Sequence, residues 1–192
     1  GGIPPEVTAA GDAPAGRGAG EVTEIGQGVR VELRSSDPFT RWEQASVIKG
    51  AANGTVSAIA YAAIGDITTA QFRELAAIQR HFDADMRLPN RQNIAFRGMQ
   101  PGQMRELFDR LSAIGMAQPG AELVRDVVSC PGADTCNIAV TQSRGLAKAI
   151  GDKLEEEGLA EAGGVRINIS GCTNSCGQHH ASDIRSEEHT SE

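Results

Sequence analysis

An α+β fold in two units is what this sequence predicts, and three observations carry that reading. Residues 38–117 show strand, helix, strand and helix signals in turn. Pro119-Gly120 then interrupts the chain. Beyond it come a strand, a loop, a helix, a strand and a second loop, the order of an α/β unit over residues 118–184. The two loops hold all four cysteines of the chain: Cys130, Cys136, Cys172 and Cys176.

The composition bounds the possibilities. At 192 residues the chain suffices for one ordinary domain or two small ones. It is 40% hydrophobic but only 4% aromatic, so its core must be built mainly from Ala, Val, Ile and Leu. A net charge of −7 argues against general nucleic-acid or anionic-membrane binding. There is no apolar run of bilayer length and no signal peptide, so a cytoplasmic location is expected. In that setting cysteines are metal ligands or redox thiols before they are disulfides.

Taken in order, residues 1–28 are rich in Gly, Pro and Ala and read as linker, and residues 1–37 as a whole as the end of a preceding lobe. The first residue is Gly rather than Met, so a trimmed start is expected. Residues 29–33 alternate apolar and polar, a strand signal, and Asp37-Pro38 breaks the chain. Residues 55–61 read as a strand. Thr68 and Gln71 have capping-box spacing, and Phe72, Leu75, Ala76, Ile78 and Phe82 follow at helical period as core. A strand is expected near Ile94–Arg97. Pro101 suits a first helical turn, and Met104, Leu107, Phe108, Leu111 and Ile114 form a second apolar stripe that stops at Gly115. In the second unit, residues 124–128 and 165–169 read as strands and residues 138–157 as a helix ending at Gly158. Residues 185–192 are polar and aperiodic. They resemble the conceptual translation of a sequencing adapter and are expected to be non-native, which would make the net charge −5.

The cysteines form a C-x5-C pair and a C-x3-C pair, each in a loop of small and turn-forming residues. Thiolates are soft ligands, and four of them suit zinc or an iron–sulfur cluster. Zinc knuckles use short spacings, which the second pair satisfies and the first does not. A wide loop beside a tight one suits a centre larger than one ion. Iron–sulfur ligation therefore ranks first, a zinc-stabilised structural or binding module second and disulfides third. Gly132, Gly171 and Gly177 could turn N–H groups toward the sulfurs, and the helix after Cys136 could present its positive end. Parallel strands would bring both loops to one sheet edge.

The stretches Val128-Ser-Cys-Pro-Gly-Ala-Asp-Thr-Cys136 and Ile169-Ser-Gly-Cys-Thr-Asn-Ser-Cys-Gly-Gln178 resemble the two cluster loops of the sirohaem-containing nitrite and sulfite reductases. Ser143-Arg-Gly-Leu-Ala147, Phe39-x-x-Trp42, Gly65-Asp66 and Arg91-Gln-Asn93 are similar to that family too, so the resemblance spans residues 37–184. It implies a ferredoxin-like half-domain over residues 38–117, followed by a sirohaem and 4Fe–4S binding domain over residues 118–184. It also implies a cluster held by Cys130, Cys136, Cys172 and Cys176, with Cys176 bridging to the sirohaem iron. Nitrite or sulfite would be the substrate, and ferredoxin or a similar protein the electron donor. Residues 174–178 look more like the nitrite-reducing, ferredoxin-linked members. The match is to the second of two similar halves. The basic residues that hold the substrate belong to the first half, so this chain alone is expected to be inactive.

Sirohaem carries many carboxylates, which makes Arg91, Gln92, Asn93, Arg97 and Arg144 candidates for its pocket. His179 and His180 follow the second loop and read as a polar loop pair, with proton transfer as the other possibility. A plain iron–sulfur electron carrier is the remaining alternative.

Overall fold

The computed structural model describes residues 35–52 and 54–187, and the main chain of two short strands upstream, β1 (Thr23–Ile25) and β2 (Gly28–Arg30). β1 lies inside the stretch expected to be linker. It is a strand because antiparallel pairing with β2 supplies hydrogen bonds that its composition alone could not. Residues 1–22 and most of the expected strand 29–33 lie outside the described residues.

Asp37-Pro38 starts a helix instead of ending a segment. The Asp37 carboxylate accepts from Thr40 N at 2.9 Å and Thr40 Oγ1 at 2.8 Å, and Pro38 occupies the first turn of α1 (Pro38–Ser46), where a missing N–H costs nothing. β3 (Val47–Lys49) turns back onto β4 (Val56–Ala60). The capping box predicted from Thr68 and Gln71 is present at the head of α2 (Thr69–Phe82). β5 (Asp85–Arg87) and β6 (Ile94–Met99) follow, then a 3-10 turn at Pro101–Gln103 and α3 (Met104–Ala113).

The sheet order is β3-β4-β6-β5, and every neighbouring pair is antiparallel. β4 and β5 are therefore parallel to each other with β6 inserted between them, a split β-α-β arrangement crossed by α2. The core beneath it joins Trp42, Leu75, Ile78, Ile94, Phe96, Met104, Leu107 and Leu111, all at or near zero exposure. Phe72 departs from the expected stripe. It is 50% exposed and lines a groove beside the cysteine loops.

The second unit is a parallel sheet of order β10-β9-β7. Its strands are β7 (Val128–Ser129), β9 (Ile167–Ser170) and β10 (Ile184–Glu187), with β8 (Ala162–Gly163) pairing separately with β2. α4 (Ser143–Glu156) connects β7 to β8, and Ala147 on it packs onto Val124, Val127, Ile167 and Ile169. Residues 185–187, expected to be an aperiodic tail, extend β10. The ladder is made by main-chain groups, which any sequence supplies. No helix among the described residues is long and apolar enough to cross a membrane.

Three expected boundaries move. Residues 124–125 are turn and 126–127 irregular rather than strand, because Val124 N donates to Ala162 O and Asp126 N to Leu123 O. The strand expected at 165–169 begins at Ile167. The helix expected from 138 begins at Ser143, because Val140 N is taken by Gly171 O of the other cysteine loop.

Candidate metal centre

β7 and β9 run parallel in register, Val128 with Asn168 and Ser129 with Ile169. Cys130 leaves the end of β7 and Cys172 lies just past the end of β9, so both cysteine loops emerge side by side from one edge, as expected from the sequence. The loops are then fastened together. Cys130 N donates to Ile169 O at 3.1 Å, Val140 N to Gly171 O at 2.9 Å, and Gly171 N to the Cys130 sulfur at 3.2 Å. Ala133 N to Thr141 O at 2.9 Å and Cys136 N to Gly132 O at 3.0 Å close the first loop on itself.

Cys130 is the buried member of the set. Cys136 and Cys172 are half-buried and Cys176 is exposed. Ser143 Oγ, at the first residue of α4, lies 3.3 Å from the Cys130 sulfur and 2.9 Å from the Cys130 carbonyl oxygen. Burial pushes the Cys130 thiol up. That is outweighed by hydrogen bonds from the Ser143 hydroxyl and from the N–H groups of Gly171, Gly132 and Cys130 itself, so the net shift is downward, toward the thiolate that a metal needs.

Two glycines make this packing possible. A Cβ on Gly132 would collide with Ser143 Oγ and stand 2.8 Å from Ser143 N and Thr141 O. A Cβ on Gly177 would collide with Ile169 O. Gly171 turns its N–H to a sulfur as the sequence suggested, whereas Gly177 N donates to Ser170 Oγ at 3.1 Å.

The donor set is four thiols carried by two joined loops, soft ligands of the kind that hold a metal centre. Among the described residues, the ligand atoms of three cysteines do not come within 4.8 Å of one another; the group that does is His179, His180 and Glu187. His179 is fully buried, with its Nε2 against the Glu187 carboxylate and its ring 4.1 Å from that of His180. It is therefore a packed side chain, not the polar loop residue expected, while His180 is exposed.

The five polar candidates separate. Arg91 and Asn93 face Asp126, not an open surface. Arg91 Nη2 donates to Asp126 O at 2.8 Å, and its Nε lies 3.2 Å from the carboxylate. Asn93 Nδ2 donates to Asp126 Oδ2 at 2.8 Å and its Oδ1 accepts from Ala62 N at 3.0 Å. This buried network joins the two units and leaves little of either side chain for a cofactor. Arg97 lies half-exposed on β6, 3.6 Å from Asp85. Arg144 is ion-paired with Asp66 and stands 3.8 Å from Asp134.

Gln92 has the role least visible in the sequence. Its Nε2 donates to Ser129 O at 2.8 Å and its Oε1 accepts from Ser129 N at 3.3 Å. β7 is an edge strand, and the amide completes its free side one residue before Cys130. Gln92→Ala should leave both buried main-chain groups of Ser129 without partners and lower stability by about 1–3 kcal/mol in a denaturant titration. Gln92, Ser129 and Arg144, with Ile64, Phe72 and Leu88, also line a groove of about 300 Å³ next to the first cysteine loop.

Residues 120–186 match the family described as the nitrite and sulphite reductase 4Fe–4S domain, and residues 52–114 match the nitrite/sulfite reductase ferredoxin-like half domain. The chain belongs to the nitrite and sulfite reductase family. Among the relatives of this chain, a ferredoxin–nitrite reductase from Synechococcus elongatus is 34% identical over 122 residues, 63% of this chain and 24% of that protein. A ferredoxin–nitrite reductase from Leptolyngbya laminosa is 48% identical over 62 residues, 32% of this chain and 12% of that one. The chain thus spans a quarter or less of these two relatives. The solved NirA protein of Mycobacterium tuberculosis superposes with a TM-score of 0.60 at 20% identity, covering 70% of this chain and 26% of that one, a likeness of fold. The α+β reading, with a ferredoxin-like half domain before a 4Fe–4S domain, agrees with these matches.

Proposed function

We propose that this reductase chain contributes the electron-delivery side of an enzyme that reduces nitrite or sulfite at a sirohaem coupled to a 4Fe–4S cluster, with ferredoxin or a similar donor. The observation that carries this is the joining of the two cysteine loops at one end of a parallel sheet, within the residues that match the 4Fe–4S domain. Cys130, Cys136, Cys172 and Cys176 are assigned to the cluster. The proposed units are residues 38–117 and 118–184.

When bound, the cluster and sirohaem together supply reducing electrons to the anion. The chain's own contribution is placement. Cys130 anchors the site from inside, and the exposure of Cys176 supports its assignment as the bridging ligand to a second cofactor. Arg144 and Gln92, on the groove beside Cys130, are the candidates for the sirohaem wall. Arg91 and Asn93 act instead through Asp126 to hold the two units together, and Arg97 stands apart on the open face of β6.

Cys176→Ser in the intact holoenzyme tests the assignment. The expected result is loss of electronic coupling between cluster and sirohaem in the visible and EPR spectra. Unchanged coupling would overturn the bridge. A colourless, zinc-containing wild-type protein would overturn the whole reading, and a brown protein without sirohaem bands would leave a plain iron–sulfur carrier.

A further inference from the structure

Ser143 is 1% exposed, at the first residue of α4, and its hydroxyl stands between two acceptors of one residue: the Cys130 carbonyl oxygen at 2.9 Å and the Cys130 sulfur at 3.3 Å. A hydroxyl has one hydrogen, so it can fully serve only one of them. The surroundings are built to admit it. Gly132 gives up a side chain that would occupy the position of Ser143 Oγ, and Gly171 N brings a second donor to the same sulfur from the opposite loop. The head of a 14-residue helix adds its positive end at the same point.

We propose that Ser143 tunes the electron affinity of the centre ligated by Cys130, its hydroxyl hydrogen moving from the carbonyl oxygen to the sulfur as negative charge gathers there. The proposal rests on the iron–sulfur reading above. Hydrogen bonds to ligating sulfurs favour the reduced form, because they strengthen as the sulfur gains charge. A donor that can also rest on a neighbouring carbonyl is not stranded when the centre is oxidised. Ser143 is therefore a positioning and tuning residue; it is not a ligand.

The test is a redox titration of the cluster in the full natural holoenzyme, followed by EPR, for wild type, Ser143→Ala and the near-isosteric pair Ser143→Thr and Ser143→Val. Iron, sulfide and zinc analysis of the wild type comes first, since a wild type without iron and sulfide refutes the iron–sulfur reading independently of any variant. With the cluster present, Ala and Val should titrate at lower potential than wild type, and Thr should remain close to it. An unchanged potential in Ala and Val overturns the proposal. So does a Thr variant that falls as far as Ala, which would assign the effect to packing. Loss of the cluster from all three variants overturns it as well, because Ser143 would then be a structural support only.

Discussion

Asp126→Ala should lower the stability of this protein by about 3–5 kcal/mol, the usual consequence of removing one partner of a buried ion pair. The side chains of Arg91 and Asp126 are 8% and 3% exposed. Without the carboxylate, Arg91 keeps a buried charge whose remaining contacts are the Asp126 carbonyl and a Glu122 carboxylate 3.5 Å away. Asn93 Nδ2 and Glu122 N lose their acceptor at the same time. The loss falls on the junction between the units, because Arg91 and Asn93 precede β6 and Asp126 precedes β7. Arg91→Met combined with Asp126→Leu should recover part of the loss by removing both charges, but not all, since Asn93 and Glu122 N stay unpaired. Burial raises the pKa of Asp126 more than the Glu122 N–H, Arg91 and Asn93 lower it. A group raised on folding contributes stability that is present below its unfolded pKa and is lost as pH rises through the folded one. Thermal unfolding from the carboxylate range upward should show that decline in wild type and a flatter profile in Asp126→Ala.

Features written in local chemistry were legible before the structure. Thr68 and Gln71 specify a helix start at fixed spacing, and the stripe of Leu75 and Ile78 needs only a core to pack against. The placement of both cysteine loops at strand ends followed from chain order. What escaped were contacts between residues far apart in the chain. Nothing near Arg91 announces Asp126, 35 residues on, so Arg91 and Asn93 suggested the carboxylates of a sirohaem when the carboxylate they face is the chain's own. Residues 138–142 contain no Gly or Pro to separate them from the helix that follows, yet Val140 N answers to Gly171, and that bond exists only after the two loops meet. Asp37-Pro38 was ambiguous for a local reason. The same dipeptide ends one element or caps the next, and the Thr40 N–H decides for the cap. β3 and β5 are three residues each, too short for alternation to register, and pairing with β4 and β6 creates them.

Cys130→Ala should abolish iron–sulfur incorporation, with iron and acid-labile sulfide falling from near four of each per chain, the content of the matched domain, to background. This thiol differs from the other three in what surrounds it. Its main chain continues the β7–β9 ladder through Ile169 O, so the residue is held before any cofactor arrives. Its sulfur accepts from Gly171 N and lies against Ser143 Oγ in a buried setting, so those donors face the thiolate directly. With Ala in place, those donors lose their acceptor, and water cannot supply the missing soft donor. Cys130→Ser should fail nearly as completely, because an alkoxide oxygen is harder and sits closer to the main chain than sulfur. The same change at exposed Cys176 leaves room for water or an added thiol, so partial iron retention, recoverable by reconstitution with an exogenous thiol, is expected there. Equal iron loss at both positions, or full iron content in Cys130→Ala, would show that burial does not rank these ligands. Far-UV circular dichroism should be largely preserved in either variant, since the core around Trp42, Phe96 and Leu107 packs without contribution from the cysteine loops.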